Sequence, residues 1–266
     1  MGKAKAYIRK RREVGVIKEI IGDCVLYLGD CMEVMQEIGN ADSVITDPPY
    51  KMEIHGRGFA AKRDYYSRLD YGTATDFELS PEFYNLLLSK LNEKNMTFFC
   101  NKLMKLDIEN WAVGMGFTFD ELVMCKSAPS PLTNNQWLPD KEFAVHVFRQ
   151  LAVRGNYNTK RTWFLDANYQ DKTVDHPSVK PIYILQHIIQ NVSDIGQIVL
   201  DPFMGSGTTG VACVKMGRNF IGIEREKKYF DISCNRIKES YAQDDMFSPQ
   251  LEKHIQHSFN IEKNAS

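Results

Sequence analysis

The residues best equipped for chemistry sit at the ends of short apolar runs. Val25-Leu26-Tyr27-Leu28 leads to Gly29-Asp30, Val44-Ile45-Thr46 to Asp47, Ile198-Val199-Leu200 to Asp201, and Ile221-Gly222-Ile223 to Glu224. One strand-end Asp is ordinarily a turn former. Four carboxylates delivered to one edge of a sheet describe a site. Asp201 also opens Asp201-Pro202-Phe203-Met204-Gly205-Ser206-Gly207-Thr208-Thr209-Gly210, which fits G-x-G-x-x-G between a strand and a helix. The simplest ligand for such a turn is a nicotinamide dinucleotide, with its pyrophosphate on the helix N-terminus. Asp201 argues against that, because it sets a negative charge where the pyrophosphate would lie. A carboxylate there suits a cationic amino group, and Glu224 is placed to accept both hydroxyls of an adenosine ribose. A cationic amino acid joined to a ribose means S-adenosylmethionine.

The elements that must position these residues follow from the same runs. Short β-branched stretches bounded by turn residues read as buried parallel strands. Helical patterns alternate with them. Ser80 and Pro81 form a cap and first position for a helix whose Phe83, Leu86, Leu87 and Leu91 share a face. Ile182, Leu185, Ile189 and Val192 do likewise after Pro181, and Thr208–Met216 stops at Gly217. Strands alternating with helices predict an open, doubly wound α/β sheet, with ligands beyond the carboxyl ends of its strands. Phe117–Lys126 and Glu142–Arg149 read as a late antiparallel pair.

The chain of 266 residues allows one large domain or two small ones. Apolar residues at 43% and charged residues at 25% are ordinary globular values, which excludes wholesale disorder. No apolar run approaches the ~18 residues of a membrane span, and no secretion signal is evident. Six scattered cysteines with no CxxC pair suggest neither a zinc site nor a disulfide framework, so a reducing cytoplasm is the expected setting. A net charge of −1 leaves any nucleic-acid signal to local segments. Two stand out. Residues 1–12 carry Lys3, Lys5, Arg9, Lys10, Arg11 and Arg12 with no acid, and 57–71 mixes Arg57, Lys62, Arg63 and Arg68 with Phe59, Tyr65, Tyr66 and Tyr71. Basic plus aromatic is the composition that grips phosphates and stacks bases. The expected organisation is a basic arm (1–15), a single domain (16–242) with loops at 51–75, 127–140 and 150–175, and a polar tail (243–266).

These motifs together carry a family resemblance. The run from Asp201 to Thr209 resembles the cofactor loop of the amino-group DNA methyltransferases, and Asp47-Pro48-Pro49-Tyr50 resembles their catalytic tetrapeptide. His176-Pro177-Ser178-Val179-Lys180-Pro181 is similar to the segment opening the helix beside the cofactor's methionine end. The tetrapeptide precedes the glycine loop, which resembles the β group, a circular permutation of the usual methyltransferase chain. The match spans residues 16–241. It implies a Rossmann-like, S-adenosylmethionine-dependent methyltransferase sheet, mostly parallel with one antiparallel strand. It also implies that Asp30, beside Cys31, holds the cofactor adenine, and that Phe203 packs on the sulfonium. Gly205, Ser206, Gly207 and Thr208 make the loop, and Lys180, with His176 and Ser178 near it, meets the methionine carboxylate.

The implied chemistry makes physical sense at the tetrapeptide. An exocyclic amino group on adenine or cytosine is a poor nucleophile because its lone pair is delocalised into the ring. Accepting hydrogen bonds from both amino hydrogens favours a more tetrahedral nitrogen. Asp47 supplies a side-chain acceptor, and Pro48 a backbone carbonyl held stiff by Pro49. Tyr50 supplies a face for stacking the base. No metal is needed, and in-line positioning is the main remaining task. A base inside a duplex cannot reach such a site, so flipping out of double-stranded DNA is implied.

An Asp-first tetrapeptide resembles adenine-modifying members more than cytosine-N4 enzymes, which more often carry Ser there. Adenine N6 is therefore the expected target, with cytosine N4 the alternative. The 150–175 loop holds Arg154, Asn156, Tyr157, Asn158, Lys160 and Arg161, suited to phosphates and base edges. A homodimer and a cognate restriction enzyme are admissible partners. Rival readings are a non-catalytic cofactor- or DNA-binding subunit, which a damaged motif would mark, and a glutamine or RNA methyltransferase, which more often begins the tetrapeptide with Asn. Both motifs are intact here, and Asp201 disfavours a dehydrogenase.

Overall fold

The computed structural model describes residues 16–50, 79–129, 137–150, 153–165 and 179–243. The expected basic arm, the loop at 51–75, parts of the loops at 127–140 and 150–175, and the tail beyond 243 lie outside these residues, as do His176 and Ser178. Among the described residues the strands are β1 (Ile17–Ile21), β2 (Cys24–Leu28), β3 (Ser43–Thr46), β4 (Asn95–Cys100), β5 (Thr118–Cys125), β6 (Lys141–Phe148), β7 (Trp163–Phe164), β8 (Ile198–Asp201) and β9 (Asn219–Glu224). The helices are α1 (Cys31–Glu37), α2 (Pro81–Ser89), α3 (Lys102–Gly114), α4 (Ile182–Val192), α5 (Thr208–Lys215) and α6 (227–243).

All nine strands join one sheet in the order β1-β2-β9-β8-β3-β4-β6-β5-β7. From β2 to β4 every pairing is parallel, and β6 is the antiparallel strand between β4 and β5. This is the mostly parallel sheet the sequence predicts. An edge hairpin adds a second reversed strand, β1, whose Ile17 and Ile20 stay exposed.

Every residue of β3 and β4 is buried, because helices cover both faces. Strand period two then sends neighbours to opposite layers. Val44 and Phe98 pack with Val34, Phe83, Leu87 and Ile108 of α1–α3. Ile45 and Phe99 pack with Leu185, Ile189, Val211 and Ile237 of α4–α6.

Local chemistry starts three helices on the first face. Asp30 accepts from Met32 N at 2.8 Å, Ser80 from Phe83 N at 3.3 Å, and Asn101 from Met104 N at 3.0 Å, caps worth about 1 kcal/mol each. On the second face glycine matters more. Met204 of the glycine loop lies over Gly222 of β9, where a Cβ would fall 2.4 Å from Met204 Sδ and 2.6 Å from the Phe220 ring. Gly222 thus lets the loop sit down on the sheet.

The segment 153–165 runs back along α4, toward the strands' carboxyl edge. Arg154 N donates to Asn191 O, Arg161 O meets His187 Nε2, and Leu165 O accepts from Tyr183. Arg154 is therefore no phosphate reader. Its guanidinium binds both Glu93 oxygens at 2.7 and 2.9 Å, Asp194 at 2.8 Å and the Val192 carbonyl at 2.8 Å. Asn156 is exposed, its Oδ1 accepting from Asn158 N in a local turn. Both lie level with the C-terminal end of α4, away from the carboxyl edge.

Two outcomes test this packing. Gly222→Ala should lower unfolding free energy by about 1–3 kcal/mol through overpacking, read by denaturant titration. Arg154→Met should lower stability by about 1–3 kcal/mol while leaving duplex-DNA affinity at fixed salt unchanged.

Candidate active site

Strands β3 and β8 lie side by side, and a hydrogen bond joins their carboxyl ends. Thr46 Oγ1 donates to Asp201 Oδ1 at 2.8 Å, although 155 residues separate the two in sequence. Asp201 Oδ1 also accepts from Phe203 N at 3.1 Å, and Oδ2 accepts from Thr209 Oγ1 at 2.8 Å. The Asp201 residue is only 3% exposed. Burial pushes its carboxyl up to about 7, against the downward pull of the two threonines and the Phe203 amide. Its oxygens also brace the glycine loop: Oδ1 is filled by Thr46 and Phe203, while Oδ2 keeps one lone pair beside Thr209. Phe203, next in the loop, leans on Phe83 of α2 with ring centroids 5.7 Å apart.

The tetrapeptide follows directly from β3. Lys180 Nζ, just before α4, donates to Asp47 Oδ2 at 2.5 Å and to Tyr50 Oη at 3.3 Å. The Lys180 ammonium lies 5.3 Å from the Phe99 ring centroid and 5.6 Å from that of Tyr50. Burial alone would lower the Lys180 pKa, but Asp47, Tyr50 and Glu142 outweigh it and hold the group above its ordinary value, as an ammonium. Burial, then the Asp47 carboxylate, keeps the Tyr50 hydroxyl well above its usual range, and therefore neutral. With Oδ2 taken by Lys180, Asp47 Oδ1 is buried without a hydrogen-bond partner among the described residues. Such an atom costs free energy unless something donates to it. Lys180 thus sits against the tetrapeptide itself, a pairing that sequence reading did not foresee.

The third part of the edge lies between β2 and β9. Gly29 N donates to Glu224 O at 2.9 Å, which ties these two strand ends together. Glu224 Oε2 accepts from Gly205 N at 3.0 Å and Oε1 from Glu226 N at 2.8 Å. Each oxygen keeps a lone pair for a further donor. Burial raises the Glu224 pKa, opposed by those backbone donors. Asp30 is exposed, with one oxygen on the Met32 amide. Cys31 is buried, and burial, then Asp30, pushes its thiol up to about 12, so it is no nucleophile.

Gly205 and Gly207 have φ of 50° and 77°, the left-handed region that glycine enters freely. The hydroxyls of Ser206 and Thr208 are buried and turned to Arg236 of α6. The structure thus gathers Asp47, Tyr50, Lys180, Asp201, Phe203, the glycine loop, Glu224 and Asp30 along one edge. Thr46 and Arg236, which hold these residues, lie outside the motifs and escaped sequence reading, as did the bracing role of Thr209 within the glycine loop. The hydroxyl of Thr46, at the inner end of an apolar run, was the available signal.

Comparison with known proteins fits this arrangement. The family model for DNA methylases (N6/N4) matches residues 121–235. Type II methyltransferase M.HinfI of Haemophilus influenzae is 26% identical over 265 residues, covering 84% of this chain and 71% of the relative. YubD of Escherichia coli (strain K12), named as a methylase, is 30% identical over 234 residues, covering 84% of this chain and 96% of the relative. The crystal structure of M1.HpyAVI with SAM superposes with a TM-score of 0.59 at 28% identity, over 80% of this chain and 98% of that one. The cytosine-N4-specific PvuII DNA methyltransferase shares the fold, with a TM-score of 0.61 at 14% identity over 80% of this chain and 86% of that one. With the tetrapeptide and the glycine loop stitched together at one sheet edge, and with likeness of this extent, the chain belongs to the N6/N4 DNA methyltransferase family.

Proposed function

We propose that the protein transfers the methyl group of S-adenosylmethionine to the exocyclic N6 of adenine in double-stranded DNA, acting on a base rotated out of the helix. The observation that carries this reading is the buried Oδ1 of Asp47, unpartnered among the described residues, beside a fully engaged Oδ2. An amino group has a hydrogen to give to such an acceptor. Lys180 fixes the carboxylate's orientation, so Oδ1 stays aimed for the donor. The Pro48 carbonyl takes the second amino hydrogen, and the Tyr50 ring stacks on the extruded base. Flipping costs a few kcal/mol, which stacking partly offsets.

The donor set suits the cofactor. The ribose hydroxyls go to the remaining lone pairs of Glu224, and the adenine lies near Asp30 and the Cys31 backbone. Gly205 and Gly207 leave room for close approach, Phe203 offers an aromatic face, and the third N–H of Lys180 suits the methionine carboxylate. The open lone pair of Asp201 Oδ2, beside Thr209, suits the methionine ammonium. When bound, S-adenosylmethionine supplies a methyl group already activated by its sulfonium charge. Asp47 and Pro48 would localise the nitrogen lone pair that attacks it; as the N–C bond forms the methyl–sulfur bond would break, leaving the neutral thioether, and the amino proton would pass by way of Asp47 Oδ1 to solvent.

Adenine rather than cytosine is supported by the Asp-first tetrapeptide. The basic segments at 1–12 and 57–71 are proposed to contact phosphates, with the recognition loops completing the single domain. Homodimer formation and a cognate restriction enzyme fit the same reading.

Incubation with labelled S-adenosylmethionine and mixed DNA, followed by nucleoside analysis, should yield N6-methyladenine. Label in N4-methylcytosine would reassign the base, and no label in DNA would defeat the reading. Asp47→Ala should lose roughly 100-fold or more in turnover with cofactor affinity retained, since it removes the acceptor for the reacting amino group. Near-normal turnover by that variant would sink the assignment. Deleting residues 1–12 should flatten the dependence of log affinity on log salt by about 0.9 for each phosphate the arm neutralises, with target sequence unchanged.

A further inference from the structure

The glycine loop is held from behind by α6. Arg236 Nη1 donates to the Ser206 carbonyl at 2.7 Å, the Ser206 hydroxyl at 3.0 Å and Thr208 Oγ1 at 2.9 Å. One guanidinium nitrogen thereby spans the loop from its middle to the first residue of α5. Beside it, a Cβ on Gly207 would fall 2.6 Å from Ser233 Cβ and 3.0 Å from Ser233 Cα. The loop is therefore seated directly on the α6 backbone. One turn further along α6, Ile237 meets Gly210 of α5, where a Cβ would be 2.6 Å from Ile237 Cδ1. No side chain caps the first turn of α5. The loop's polar side chains and one carbonyl are thus taken up by Arg236, and its backbone shape is fixed before any ligand arrives. Loops preset in this way bind more tightly because less ordering is left to do.

We propose that Arg236 is a positioning residue for the cofactor loop, setting affinity for S-adenosylmethionine from the side of the loop opposite the ligand. This rests on the cofactor reading above. Arg236 acts through Ser206 and Thr208 and touches no reacting atom. Its loss should therefore appear in cofactor affinity and KM, and not in the rate of the bound complex or in DNA affinity.

The test is calorimetric titration of the full chain with S-adenosylmethionine, beside steady-state kinetics, for wild type, Arg236→Met and Arg236→Lys. Arg236→Met should bind the cofactor about 10-fold more weakly or worse, as expected for losing hydrogen bonds from a charged group. Its kcat at saturating cofactor and its DNA affinity should stay near wild type. Arg236→Lys, which keeps a charged donor but loses the planar fork, should fall between the two. If the Met variant does not fold, as judged by circular dichroism, the Lys variant decides alone: weaker cofactor binding at unchanged kcat supports the proposal. Cofactor affinity equal to wild type in a folded variant overturns it, as does a fall in kcat with KM unchanged. A wild-type protein that shows no binding of S-adenosylmethionine would instead defeat the cofactor reading itself.

Discussion

Everything at the active edge depends on the hydrogen bond from Thr46 to Asp201. It joins the ends of two adjacent parallel strands, and each of those strands launches one of the two motifs. The backbone ladder between β3 and β8 sets their spacing but stops short of the last residues, pairing Ser43 with Val199 and Val44 with Leu200. Beyond that point the strands are free to diverge. Thr46 and Thr209 close the gap by binding the two oxygens of one buried carboxylate, one from β3 and one from α5. A carboxylate out of water is costly unless its lone pairs are used, so this cluster has few acceptable arrangements.

The same logic operates a few residues away at Lys180. A buried ion pair contributes little net stability, because desolvation cancels much of the attraction. What the Lys180–Asp47 pair supplies is direction: of two equivalent carboxylate oxygens, one is fixed and one is left open to an incoming donor. The protein keeps this arrangement in a surround of Phe99 and Tyr50, where water offers a poor substitute partner. Stability and reactivity are thus set against each other at a single side chain.

Much of the fold was legible in the sequence because burial on both faces makes β3, β8 and β9 read as apolar runs with a polar stop. The caps at Ser80 and Pro81 and the stop at Gly217 were legible for equally local reasons. Other elements were not. α3 carries Leu106 at 56% and Val113 at 64% exposure, so its apolar positions do not mark a single inward stripe. β1 pairs on one side only and leaves Ile20 in solvent, so its pattern does not alternate cleanly. At the site, motif residues were found where short spacing defines them. Their partners were missed because Thr46–Asp201, Lys180–Asp47 and Arg236–Ser206 are long-range pairings between residue types that are common everywhere. The role of Arg154 was misjudged for a related reason: a basic residue in a polar loop looks the same whether it faces a phosphate or, as here, Glu93 and Asp194.

The strand order has a consequence for how the chain is made. Among the described residues β8 and β9 are the last strands in sequence, yet they lie between β2 and β3 in the sheet. While ribosomes synthesise the chain from its N-terminus, β2 and β3 must wait for their central neighbours, with apolar edges unpaired. Contacts of such long sequence separation slow folding, and unpaired edges invite association with other chains. Chaperone protection during synthesis is therefore most needed for the half-built sheet, before Ile198–Glu224 emerges. The same order delays cofactor binding until β8 and β9 have been made, so a product cut short before them cannot compete with the finished enzyme for its ligand.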